Sequence, residues 1–264
     1  MVDPKLVGDS NPNRCLYFGE DDVKEAKAPL LCERAQPDVP RLVLVPETKT
    51  FHQLVADLGQ VKRVFVAVDS PYMRRSIQND LPLEVLDAST TDIREIQTHS
   101  HRYPTAGACL ECIYRPNPAE LQRQRDIAAA LGISVETVVK SFIDEEAAAT
   151  IAARYPHLDQ TELLGTSFDS LFRQLCGEGK IITTAGAQVL APFAFVSNLA
   201  GSLLVVELLR FEAGVKATNF AFLSPWVPPH PRTRRWHVKQ PDCRFCNAPD
   251  VVQAMVVLWG AELR

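Results

Sequence analysis

The sequence has no excess of positive charge. Its 264 residues carry 28 Lys and Arg against 32 Asp and Glu, a formal net charge of −4. No overall basic field would gather a polyanion, so a nucleic-acid partner is not expected. The opening stretch, MVDPKLVGDS, lacks a basic region followed by an apolar one, and no secretion signal is read there. A long unbroken apolar run is missing as well. The longest, Val189 to Phe211, is interrupted by Pro192, Asn198, Gly201 and Glu207. A glutamate near a bilayer centre is costly, which favours a buried helix over a membrane span. Internal repeats and low-complexity tracts are absent, which excludes solenoids and fibrous classes. The seven cysteines are an odd number. Without a secretion signal, that count argues against a disulfide scaffold and for a reducing cytoplasm with metal-bound and free thiols.

What is present is an ordinary globular composition, 46% hydrophobic and 23% charged, with a mean hydropathy near zero. Polar residues broken by Pro and Gly fill the first forty positions, with a short helix expected from Asp21 to Arg34. Arg41 to Pro46 (RLVLVP) and Arg63 to Val68 (RVFVAV) read as apolar strands, and Leu83 to Leu86 as a third. Pro71 to Asn79 lies between the last two with helical character. Strand, helix, strand at this spacing predicts an α/β fold with a mainly parallel sheet and helices on both faces. Ile93 to His101 is expected as an added strand. Pro118 to Leu175 changes character, being alanine-rich and charged with helical period, and is read as a helical insertion. A long buried helix follows over Leu190 to Phe211, then late strands at Phe220 to Phe222 and Val251 to Leu258, with the basic run RTRRWHVK between them.

The sharpest chemical signal is a pair of Cys-x-x-Cys knuckles, Cys109 and Cys112 in CLEC and Cys243 and Cys246 in CRFC. Two thiolates at this spacing reach one tetrahedral metal, and two such pairs fill all four positions of a zinc ion at about 2.3 Å. No position is left for water, so Zn²⁺ here would be structural; the alternative is two unrelated pairs, one of them redox-active. The ion would join the middle of the chain to its tail, closing a long loop, where a crosslink restricts the unfolded chain most. A zinc deaminase would need a His-x-Glu, and no histidine of this chain has a glutamate two residues on. His99 and His101, on the path to the first knuckle, are expected at the surface or behind the metal ligands.

Polar residues cluster near the expected strand ends: Asp3, Asn11, Arg14, Lys27, Asp69 and Arg74. Ligands commonly meet a parallel sheet at its C-terminal edge. Asp69 closes an apolar strand and could hold Mg²⁺ together with phosphate oxygens. Arg14 and Lys27 could neutralise charge building at a phosphorus under attack. Taken singly, a lysine such as Lys27 is ordinarily a solvated helix residue, and a strand-end aspartate such as Asp69 often caps a turn.

Taken in order, the segments resemble the ThiF/MoeB and ubiquitin-activating-enzyme superfamily. MVDPKLVGDSNPNR is similar to its VD-x-D-x-V-x-x-SN-L-N-R segment, DDVKEAKAP to its DVG-x-x-KA, and AVDSPYMRRSIQN to its DN-x-x-x-R-x-x-x-N. CLECIY and CRFC are similar to its zinc knuckles, and QVLAPFAFVSNLAGSLLVVELLR to its long helix. The resemblance runs from Asp3 to about Cys246, with the helical insertion outside it. It implies an incomplete Rossmann-like, ThiF-type fold, the back two-thirds of the family's domain. The family's G-x-G-x-x-G turn lies upstream of the segment matching Asp3 and occurs nowhere in this chain. Pro12 replaces an apolar residue of the pattern, and Lys24 stands where the family has glycine.

The resemblance further implies an activity: ATP-dependent adenylation of the C-terminal glycine of a ubiquitin-like or sulfur-carrier protein, in the cytoplasm, by a homodimer. Asp3 would then bind the ATP ribose hydroxyls, Asn11, Arg14 and Lys27 the phosphates, and Asp69 Mg²⁺. Arg74 would support Asp69 or face the partner protein. Cys176, in QLCGEGK ahead of the long helix, is either the thiol that takes the activated carrier as a thioester or a free cysteine at a helix end. Cys15 and Cys32 read as ordinary buried thiols. A catalytically inactive, zinc-stapled scaffold that binds such a carrier or pairs with an active copy remains the alternative. The expected organisation is one domain in three stretches: residues 1–117 with the nucleotide-binding half and first knuckle, 118–175 the insertion, and 176–264 the crossover loop, buried helix and second knuckle.

Overall fold

In the computed structural model every residue is described except 9, 10, 13, 14, 69, 92–94, 116, 117, 141, 177–179, 183–187, 191–193, 216, 229, 261, 263 and 264. For residues 91, 173, 176, 180–182, 188–190 and 231 the backbone alone is described. The chain forms two compact units, each built from two stretches: Met1–Leu54 with Asn117–Ala191, and Val55–Pro116 with Pro192–Arg264.

In the first unit, the N-terminal segment folds back on itself through single bridges, Leu6 with Ala26 and Val2 with Glu47. A short 3-10 turn at Glu20–Asp22 precedes α1 (Lys27–Ala35), so the helix expected from Asp21 begins six residues later. Arg41 to Pro46 is not a strand. Leu42, Val43 and Val45 are exposed, and the Gln36 side chain takes the Leu42 carbonyl and the Leu44 N–H. Those backbone groups bond to a side chain where a strand would bond to a neighbour. Helix α2 (Phe51–Leu58) carries the chain out of this stretch. Among the described residues the second stretch holds five helices, α5 (Pro118–Leu131), α6 (Val135–Val139), α7 (Glu145–Arg154), α8 (Gln160–Leu163) and α9 (Phe168–Cys176), then a ribbon of β4 (Lys180–Ile182) and β5 (Gln188–Leu190). Ser134, Asp144 and Asp159 cap α6, α7 and α8. Leu131, Ile143, Ile151 and Phe168 centre a separate apolar core for these helices.

The second unit holds a five-stranded sheet in the order β1 (Arg63–Val66), β2 (Glu84–Thr91), β3 (Glu95–Arg102), β6 (Phe220–Leu223), β7 (Arg234–Arg235). Among the described strands of this sheet only β1 and β2 run parallel, joined by α3 (Pro71–Asn79), which starts where expected, with Ser70 as its cap. The remaining pairs are antiparallel, so the mainly parallel sheet expected from the sequence is corrected. Three residues separate Thr91 from Glu95, too few for a crossover helix, and the chain must return beside the strand it left.

Helix α10 (Ala194–Glu212) lies across β2 and β3. It was expected to be buried, but only Val196, Ala200, Leu204 and Glu207 are, a single stripe at helical spacing. Phe195, Val205 and Leu209 are exposed. Among the described residues α10 is long and apolar enough to cross a membrane by length and composition. Its buried Glu207 is paired with Arg234 of β7 and with Arg210. Val251 to Leu258, expected as a strand, belongs to α11 (Pro249–Trp259), where Val251, Met255 and Trp259 recur every four residues and pack on Leu83 and Tyr103. The valine pairs suit a strand, but the i, i+4, i+8 stripe and Pro249 at the first turn decide for a helix.

Candidate metal centre

Both knuckles lie in the second unit. Cys109 precedes the one-turn helix α4 (Leu110–Ile113), and Cys112 sits within it. A short ladder brings the two knuckles together: Ala108 N–H donates to the His237 carbonyl at 2.8 Å, Lys239 N–H donates to that of Ala106 at 3.3 Å, and Gly107 bridges Val238. From there the chain reaches Cys243 through Gln240, whose carbonyl accepts from the Cys243 N–H at 3.1 Å and the Asn247 amide at 2.7 Å.

The four cysteines therefore meet although 134 positions separate Cys109 from Cys243. Sγ of Cys109 is 3.7 Å from that of Cys112 and 3.6 Å from that of Cys243, and Cys112 is 3.7 Å from Cys246. All four sulfurs lie within 4.8 Å of one another. A tetrahedron with arms of about 2.3 Å has corners about 3.8 Å apart, so the donor set and spacing fit one zinc ion. The sulfurs are buried with Ala108 and Phe245 in an apolar shell, which keeps water away. Gln240 N–H points at Sγ of Cys112 at 3.4 Å, a contact that favours the thiolate. The Cys109 thiol contact, with that backbone donor, holds Cys112 at about 5. Cys243 is held at about 6, again chiefly by Cys109, while Cys109 is pushed up, first by Cys112.

His99 and His101, expected at the surface or behind the metal ligands, are not at the surface. They are 1% and 5% exposed on β3, because inward positions of a central strand are covered on both sides. His99 Nε2 is 2.8 Å from the Ala108 carbonyl, beside the first knuckle. Neither histidine belongs to the metal-ligating group.

The residues read as nucleotide contacts fall as follows. Asp3, Asn11 and Lys27 lie in the first unit. Asp3 accepts from the Lys5 N–H at 2.9 Å, Asn11 from the Gly8 N–H at 2.8 Å, and Lys27 opens α1. Lys24, in the family's glycine position, adopts a left-handed φ of 78° and pairs with Glu162 at 3.0 Å. Arg14 and Asp69 lie outside the described residues. Cys176 ends α9, and its side chain also lies outside them. Cys32 is buried as expected, whereas Cys15 is only partly so.

Sequence reasoning missed a buried polar network next to the first knuckle. Arg74, expected to support Asp69 or face a partner, is 3% exposed. Its guanidinium donates to Asp87 of β2, to the Val68 carbonyl and, at 3.0 Å, to the Ala88 carbonyl. The other oxygen of Asp87 accepts from the Tyr114 hydroxyl at 2.6 Å. Burial, then the charge of Asp87, pushes that phenol up and keeps it protonated. The available signals were an aspartate inside the apolar stretch LEVLDA and a tyrosine two places after Cys112.

No family model matches the chain. It is 27% identical over 229 residues to an uncharacterised protein, y4jF, of Sinorhizobium fredii (strain NBRC 101917 / NGR234), a match covering 81% of this chain and 44% of that one. Among solved structures it is similar to E. coli MccB, with a TM-score of 0.49 and 12% identity over 94% of this chain and 57% of that one. It is also similar to PaaA, with a TM-score of 0.46 and 14% identity over 90% of this chain and 63% of that one. The chain thus spans less than half the length of the curated relative it matches.

Proposed function

We propose that this chain is part of a ThiF/MoeB-type adenylyltransferase that uses ATP and Mg²⁺ to activate the C-terminal glycine carboxylate of a ubiquitin-like or sulfur-carrier protein. The observation that carries the reading is the meeting of Cys109, Cys112, Cys243 and Cys246. Their knuckles stand in the same order, relative to the other resembling segments, as in that superfamily. Zinc held by four thiolates would serve structure, with no coordination site open to substrate.

Catalysis in such a reaction is largely positioning and charge neutralisation. The carrier carboxylate attacks the α-phosphorus, the bond to pyrophosphate breaks, and an acyl-adenylate forms. Asp3 would hold the ribose hydroxyls. Asn11, Arg14 and Lys27 would hold the phosphates, Arg14 and Lys27 would stabilise the departing pyrophosphate, and Asp69 would hold Mg²⁺. Where a thioester is formed, the Cys176 thiolate would attack the acyl carbon of the acyl-adenylate and AMP would leave.

The test is ATP–pyrophosphate exchange by the full-length protein with a carrier ending in Gly-Gly. Exchange is expected to require both Mg²⁺ and the carrier, and to disappear in Asp69→Ala while the circular dichroism spectrum is unchanged. Undiminished exchange in Asp69→Ala would overturn the magnesium role. A folded, metal-loaded protein that binds carrier without any exchange would turn the reading to the inactive scaffold.

A further inference from the structure

Tyr114 stands two residues beyond Cys112, at the end of α4, and is tied into that turn through its own N–H to the Leu110 carbonyl at 2.8 Å. Its hydroxyl reaches Asp87, which is fully buried. Asp87 holds Arg74, and Arg74 holds the carbonyl of Val68 just past the end of β1. The guanidinium also lies 5.4 Å from the centre of the Tyr114 ring. Two further ties bind the same helix to the knuckle. Gln78 accepts from the Leu110 N–H at 2.7 Å, and Arg75 donates to the Tyr114 carbonyl at 2.5 Å. Helix α3 is therefore fastened to the first knuckle at three of its residues.

The far end of this chain of contacts has a particular address. Val68 follows the C-terminal end of β1, which pairs in parallel with β2, and ligands meet a parallel sheet at that edge. A buried aspartate shared by an arginine and a tyrosine has discrete arrangements, because an uncompensated charge there is expensive.

We propose that Tyr114, Asp87 and Arg74 form a relay through which the filled four-thiolate site positions the end of β1 and the start of α3. The metal then sets the ligand-facing edge of the sheet as well as joining distant parts of the chain. Tyr114, Asp87 and Arg74 are positioning residues. The relay builds on the adenylation reading only for the use made of that edge, and on the metal reading for its trigger.

Amide hydrogen exchange tests it without recourse to activity. The reporters are the amides of Met73 and Arg74, which donate to Ser70 in the first turn of α3. The comparison is between wild type and Tyr114→Phe, each zinc-loaded and each after chelation. In zinc-loaded wild type these amides are protected, and chelation is expected to speed their exchange on the order of tenfold. Tyr114→Phe keeps the ring and its zinc, yet shows the same acceleration before chelation and little more after it, the non-additivity of a shared path. Should chelation unfold the whole protein, zinc-loaded Tyr114→Phe decides alone: local acceleration supports the relay. Wild-type exchange rates in zinc-loaded Tyr114→Phe would overturn it. So would a chelation effect confined to residues around the knuckles, or a folded wild type with no metal. Loss of pyrophosphate exchange with the relay intact would count against adenylation alone.

Discussion

At Gly107 a hydrogen atom in place of a side chain lets residues 106–108 lie against 237–239. A Cβ there would come within 2.4 Å of the Asn219 amide nitrogen and 3.0 Å of the Trp236 ring. Asn219 has no room to move, since its side chain both donates to the His237 carbonyl at 2.9 Å and accepts from the His237 N–H at 2.7 Å. Gly107→Ala should therefore cost about 1–3 kcal/mol, as overpacking of a tight contact does. The check is the urea midpoint of the zinc-loaded protein, and an unchanged midpoint would remove the close approach from the account. At this scale the sequence was legible where residue type and spacing together dictate chemistry, as in the two Cys-x-x-Cys pairs. Asp87 and Tyr114 carry no such spacing. Their partners lie 13 and 27 positions away along the chain, and only the sheet brings them together.

Strand β3 shows what an element can hide. His99 and His101 sit two apart on one face, their rings 5.2 Å apart, and neither Nδ1 has a hydrogen-bond partner among the described residues. Burial pulls His99 down, and burial with the neighbouring His99 pulls His101 well down. In the folded protein both are thus biased toward the neutral form. Above about pH 6.5 they are neutral in the unfolded chain too and contribute nothing. Below it the unfolded chain takes up protons that the folded protein refuses, so stability falls with pH by at most about 1.4 kcal/mol per unit per histidine. His101→Leu should accordingly lose less stability than wild type between pH 7 and pH 5 in parallel denaturation curves. The metal centre is common to both proteins and cancels in the difference. Equal losses would mean that His101 is not held neutral. A sequence pattern such as THSHR reads as polar and exposed, because it does not reveal that residues 98–101 of β3 are buried on both faces of the sheet. The same blindness accounts for α11, where a run of valines suits either period, and for Arg41 to Pro46, where one glutamine side chain satisfies the backbone. Pro71–Asn79 was legible because its helical character is local to the segment.

Across the whole molecule the parallel pair β1 and β2 was readable from its strand–helix–strand spacing, and the antiparallel remainder was not. Strand direction beyond β2 is set by a three-residue connection and by pairing between residues more than a hundred positions apart, such as Thr98 with Ala221. The knuckles impose a long closure of this kind, joining Cys109 to Cys243 across 134 positions. Metal binding at such a site is part of the folding free energy, about 10 kcal/mol or more in small zinc modules. It is also weakened in acid, as protons compete for the thiolates. The most direct measurement is X-ray absorption at the zinc edge on the purified protein, with metal content determined in parallel. One zinc per chain surrounded by four sulfurs at about 2.3 Å is predicted, with Cys109→Ser losing the metal and melting at lower temperature. A folded wild type without zinc, or a nitrogen or oxygen in the first coordination sphere, would contradict the account.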